Sequence, residues 1–121
     1  MARLLFVDDD PFTLETLAKA VQVLGHQPIL ASNGQEALLA AEEQSPDLIF
    51  TDMSLPDTDG ATLIGLLHGQ ESTAKIPMFI LSASPTEDAI ERTRSAGAQA
   101  YLNKPIRLQT LIDIIGKFAV G

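Results

Sequence analysis

RLLFVDDDPF, Arg3 to Phe12, sets an apolar run against three consecutive carboxylates. Leu4 to Val7 lack the polar alternation of a strand with one wet face, which suits a strand covered on both sides. Asp8, Asp9 and Asp10 stand at its carboxyl end, and Pro11 opens a stretch of helical period. A buried strand that delivers acids to its end and passes at once into a helix is the start of a parallel α/β unit.

The remainder of the chain repeats that unit. Gln27 to Ala31, Asp47 to Thr51, Met78 to Leu81 and Gln99 to Leu102 are further short strand candidates. Helices are expected between them and after the last. Leu14, Leu17, Ala18, Val21 and Leu24 fall at helical spacing, with Asp10 as cap, Pro11 in the first turn and Gly25 at the end. Asn33 with Glu36 forms a capping-box pattern for the second helix, and Ala61 to Leu67 make the third. "SPTE" (Ser84 to Glu87) predicts Ser84 as the cap of the fourth, which Gly97 ends. Leu108, Leu111, Ile112, Ile115 and Phe118 share one face of the fifth. Five strand–helix units predict an α/β fold, (βα)5 and doubly wound, with helices on both faces of a five-stranded parallel sheet. Residues 1–121 are expected to form one domain, without linker or repeat.

Composition narrows the function. With 45% hydrophobic residues and no cysteine, the chain can build an ordinary core and has neither disulfides nor thiolate chemistry. No apolar run approaches the roughly 20 residues of a membrane span, and no signal peptide is visible, so a cytoplasmic protein without membrane contact is expected. The formal net charge of −8 repels phosphates, which argues against direct nucleic acid binding.

In an open parallel sheet, ligands gather at the carboxyl ends of the strands. Asp8 and Asp9 stand at the first end, Asp52 at the third, Ser82 at the fourth and Lys104 at the fifth. Two unit charges about 4 Å apart repel by about 4 kcal/mol at an effective dielectric of ~20. Three clustered carboxylates therefore call for a cation. Oxygen donors without His or Cys select a hard divalent ion, and Mg2+ is content with one or two protein carboxylates beside waters and a phosphate oxygen. A lysine and a hydroxyl around such a site point to phosphoryl transfer, with Asp52 as the carboxylate nucleophile.

"FVDDDP", "LIFTDMSLPDTDG", "FILSA" and "AYLNKP", each at a strand end, together resemble the receiver domain of two-component response regulators, of the chemotaxis-regulator type. The resemblance runs the length of the chain. It implies the flavodoxin-like strand order 2-1-3-4-5 and a phosphoacceptor at Asp52. It implies Mg2+ on Asp8, Asp9, Asp52 and the backbone carbonyl of Ser54. Ser82 and Lys104 would contact the phosphoryl group, and the Lys104–Pro105 bond would be cis. Ser82 and Tyr101 would be the switch residues. The implied donor is a phosphohistidine on a sensor histidine kinase or a histidine phosphotransfer protein. The implied output is a changed surface on the fourth helix, fifth strand and fifth helix, read by an effector or a second copy. The domain would signal rather than act as an enzyme on a substrate.

Two other classes compete. A receiver-like interaction module that no longer phosphorylates is opposed by the full set of Asp8, Asp9, Asp52, Ser82 and Lys104. Asp8-x-Asp10 also resembles the nucleophile motif of haloacid-dehalogenase-type phosphatases. Phe12 stands where that family has Thr or Val, Asp113 is the sole acid after Lys104 where that family has further acidic metal ligands, and Asp52 would have no task. No glycine-rich phosphate loop follows the first strand, so a nucleotide or flavin site is not expected. Asp10 reads as a helix cap, Asp57 and Asp59 as loop and turn acids, and His26 and His68 as surface residues.

Overall fold

The structure, a computed structural model, describes residues 1–119. Strands and helices alternate: β1 (Arg3–Val7), α1 (Pro11–Val23), β2 (Gln27–Ala31), α2 (Gly34–Gln44), β3 (Leu48–Asp52), α3 (Gly60–His68), β4 (Met78–Ser82), α4 (Glu87–Ala96), β5 (Ala100–Asn103) and α5 (Leu108–Phe118). The strands form one sheet in the order β2-β1-β3-β4-β5, and every neighbouring pair is parallel. The expected doubly wound order is present. Among the described residues no helix is long and apolar enough to cross a membrane.

Side chains alternate across a strand, so uniformly apolar strands feed two cores. Leu4, Phe6, Leu48, Phe50, Phe79 and Leu81 meet Leu14 and Val21 of α1 and Leu111 and Ile115 of α5. On the other face Leu5, Val7, Ile49 and Ile80 meet Ala37 and Ala41 of α2 and Leu63, Ile64 and Leu67 of α3. Phe6, Phe50 and Phe79 sit at matching register on β1, β3 and β4. Their rings stack with centroids 5.3 and 5.0 Å apart. Burying a phenylalanine is worth roughly 1.5–3 kcal/mol. This ladder therefore fixes the relative height of three strands, and with it the level at which their carboxyl ends emerge.

The ladder runs slightly further than the hydrophobic pattern. Asp52 pairs opposite Leu81 and Ser82 opposite Asn103, so polar residues close β3, β4 and β5. Asp47, expected to begin the third strand, instead anchors its entry: its carboxylate accepts the Arg3 N–H at 2.7 Å.

Asp10 and Asn33 cap α1 and α2 as the pattern predicts, accepting from Phe12 N at 3.1 Å and Glu36 N at 2.8 Å. The Glu36 carboxylate reaches back to Ser32 N at 2.8 Å. At α4 the expected cap is displaced. Thr86, not Ser84, accepts from Ala89 N at 3.1 Å. Starting there places Glu87 and Asp88 in the first turn, where the helix dipole favours negative charge. Ser84, preceding Pro85, is biased to extended backbone.

Candidate functional site

The strand order places the carboxyl ends of β1, β3, β4 and β5 side by side. Asp8 is buried, Asp9 is exposed and Asp52 lies between the two in exposure. One oxygen from each of these three carboxylates lies within 4.8 Å of the others. Lys104 Nζ stands 2.6 Å from Asp8 Oδ2 and 3.1 Å from Asp52 Oδ2. The second oxygen of Asp8 accepts the Asp10 N–H at 2.9 Å. Burial opposes the charge on Lys104, but hydrogen bonds to Asp8 and Asp52, and their charges, outweigh it and hold its pKa above the ordinary value. The lysine is thus a fixed cation. It offsets one carboxylate and leaves the others facing each other. An all-oxygen set with excess negative charge fits a hard divalent ion.

Ser82 is 7% exposed, and its Oγ accepts the Ser84 N–H at 3.2 Å. Its backbone carbonyl accepts the Lys104 N–H at 2.9 Å, so the hydroxyl and the amine are supported by one backbone link. The Lys104–Pro105 peptide is cis.

Ser54 lies in the loop of residues 53–59, which leaves β3 directly after Asp52. The loop closes on itself through Gly60 N to Met53 O at 2.7 Å and Leu55 N to Thr58 O at 3.1 Å. A Cβ at Gly60 would stand 2.7 Å from both the Asp52 carbonyl oxygen and Ile80 Cδ1. Only glycine fits there, which lets α3 start against the backbone of Asp52.

Tyr101 is half-buried on β5 and packs against the core beneath α2 and α3. Its hydroxyl is enclosed without a hydrogen-bond partner among the described residues.

Comparison with known proteins agrees with this arrangement. Residues 4–116 match the family model for the response regulator receiver domain. The chain belongs to the response regulator receiver domain family. The receiver is 31% identical to the protein PilH of Pseudomonas aeruginosa over the full length of both chains. It is 38% identical to a gliding motility regulatory protein of Myxococcus xanthus over 102 residues, 84% of this chain but only 13% of that much longer relative. Among solved structures it superposes on the receiver domain of a sensor histidine kinase of Pseudomonas aeruginosa with a TM-score of 0.89. The two are 28% identical, with 99% of this chain and 98% of that one covered. That structure has a magnesium ion coordinated in its active-site cleft.

Several polar roles in the receiver were not foreseen. Asp59 is the cap of α3, accepting from Thr62 N at 2.8 Å, and also pairs with Arg92 of α4 at 2.9 Å. Burial raises its pKa, but the Thr62 N–H and the Arg92 guanidinium prevail and hold it below the usual carboxylate range. Asp57 accepts from Gly34 N at 2.8 Å and Gln35 N at 3.0 Å, at the start of α2. The Gly34 N–H is the main reason its pKa is lowered. His26 is half-buried rather than on the surface, and its Nδ1 accepts the Ala2 N–H at 2.9 Å. His68 is exposed as expected.

Proposed function

We propose that this receiver takes a phosphoryl group from a phosphohistidine onto Asp52 and changes its α4–β5–α5 surface in response. The observation that carries the reading is the junction of Asp8, Asp9 and Asp52 with one lysine bridging two of them. Asp8, Asp9, Asp52 and the Ser54 carbonyl would hold Mg2+, which when bound supplies positive charge to the acids and to the incoming phosphoryl oxygens.

Asp52 is the nucleophile. A carboxylate oxygen bonds to phosphorus as the P–N bond to the donor imidazole breaks. The bonding pair stays on that nitrogen, which takes a proton from solvent. Lys104 steadies Asp52 beforehand and the phosphoryl oxygens afterwards, as a point charge that needs no reorganisation. The Ser82 hydroxyl, now an acceptor from Ser84 N–H, donates to a phosphoryl oxygen instead. That exchange pulls on residues 83–86, the entry to α4. Tyr101 follows into the space released, and the surface of α4, β5 and α5 is altered. The donor is a sensor histidine kinase or a histidine phosphotransfer protein in the cytoplasm. The reader is an effector or a second copy of the receiver.

Intact mass after incubation with acetyl phosphate tests this. A Mg2+-dependent phosphate adduct is expected in the natural chain and lost in Asp52→Asn. An adduct that persists in that variant sinks the assignment of Asp52. If the natural chain takes neither phosphate nor beryllium fluoride with Mg2+, it is an interaction module that does not phosphorylate.

A further inference from the structure

We propose that Asp57 is a positioning residue for the metal site: it clamps the loop carrying the Ser54 carbonyl to the start of α2. The proposal rests on the reading of Asp8, Asp9, Asp52 and Ser54 as metal ligands.

The clamp is built from two elements far apart in sequence. The first amides of a helix have no partner within it. In α2 the side chain of the N-cap Asn33 accepts from Glu36 N. Both oxygens of Asp57 serve the two amides before it, Gly34 and Gln35. A carboxylate taking two parallel N–H bonds at a helix start gains from charge-assisted bonding and from the dipole together. Packing reinforces the contact. A Cβ at Gly34 would lie 2.6 Å from Thr58 Cγ2, so the loop is seated where any side chain on that helix residue would stand.

The clamp reaches Ser54 because the loop moves as a unit. Leu55 N bonds Thr58 O, and Ser54 forms a backbone bridge with Asp59. The far side is anchored through Asp59 to α3 and to Arg92. The sheet order adds the reason for such a device. β1 lies between β2 and β3. A tie from the loop after β3 to the helix after β2 therefore spans the strand that delivers Asp8 and Asp9. It ties the loop that bears one ligand to the neighbourhood of the others. Asp57 itself is exposed, and the hydrogen bonds its carboxylate accepts come from the helix start.

The test is a Mg2+ titration followed by backbone amide NMR, with no phosphoryl donor present, on the natural chain, Asp57→Asn, Asp57→Ala and Gly34→Ala. Asp57→Asn and Asp57→Ala lose the same charge, but asparagine keeps one acceptor. Gly34→Ala loses no charge and pushes Thr58 away. Outer-shell partners of a metal site are typically worth ten- to a hundredfold in affinity. For an exposed clamp the lower end is expected, about tenfold weaker Mg2+ binding in Asp57→Ala and in Gly34→Ala, with Asp57→Asn nearer the natural value. At saturating Mg2+ the phosphorylation rate of all three should return to that of the natural chain. Equal weakening in the Asn and Ala variants, with Gly34→Ala unaffected, would show a charge effect and overturn the clamp. So would natural affinity in every variant. A natural chain that binds no Mg2+ would instead overturn the underlying metal-site reading.

Discussion

The same edge of this receiver holds two groups of carboxylates that live in opposite circumstances. Asp57 and Asp59 each have backbone amides of a helix start to serve. Asp8, Asp9 and Asp52 crowd together, and among the described residues only Lys104 forms an ion pair with them. The first group has its charge dispersed by local structure. The second has been gathered by the topology of the sheet against its own repulsion. A carboxylate whose hydrogen bonds are filled by the fold serves the fold. One held close to its like and left underpaired is available to a ligand.

The comparison breaks most severely at Lys104. Its ammonium is the one ion-pair partner of the crowded group among the described residues, and Asp8 beside it is 3% exposed. Removing one partner of a buried ion pair leaves the other uncompensated, at a cost of typically 3–5 kcal/mol. Lys104 is partly open to solvent, so Lys104→Met should lower the metal-free unfolding free energy by about 3 kcal/mol in urea titration. Added Mg2+ should restore part of it. A variant as stable as the natural chain without metal would show that solvent already satisfies Asp8.

Asp9 sharpens the contrast by reversing the sign. It is exposed, and no donor among the described residues reaches its side chain. At water-like dielectric, two charges at this spacing repel by about 1 kcal/mol. Asp9→Asn should therefore stabilise the metal-free receiver by about 1 kcal/mol or less while weakening Mg2+ binding. Both are read from thermal unfolding with and without the ion. Destabilisation would mean that Asp9 has a structural task of its own.

The two groups also differ in how far the chain itself reveals them. The crowded group was legible, because Asp8 and Asp9 come straight after the apolar first strand and Asp52 ends the third, and parallel topology brings such ends together whatever lies between. The five strands were legible for the same reason, to within a residue or so. Asp59 carried a local signal, an acid just before Gly60 and three residues ahead of Thr62, but the surrounding "PDTDG" reads equally as a turn. Asp57 carried none, since its partners Gly34 and Gln35 lie far back in the sequence and only the β2-β1-β3 order brings them together. At α4 two capping patterns overlap in "SPTE", and the first-turn acids Glu87 and Asp88 decide for Thr86. The enclosed hydroxyl of Tyr101 is a property of packing, invisible in any local pattern.

Acid should expose the satisfied group through a smaller and more gradual effect. Asp57 and Asp59 both have pKa values lowered by the bonds they accept. A carboxylate whose folded pKa lies below its unfolded value stabilises the fold above the unfolded value, about 4. That stability is lost as pH falls through the folded value, because the unfolded chain binds the proton first. The thermal midpoint of the receiver should therefore decline steadily below about pH 4. In Asp57→Asn and Asp59→Asn the decline should be shallower, since the amide does not titrate, and the midpoint at neutral pH should be lower. An acid limb of unchanged slope in both variants would mean that these carboxylates bind protons equally well folded and unfolded. Their bonds to the helix starts would then hold geometry without contributing to stability, and the distinction between the two groups would lie in position alone.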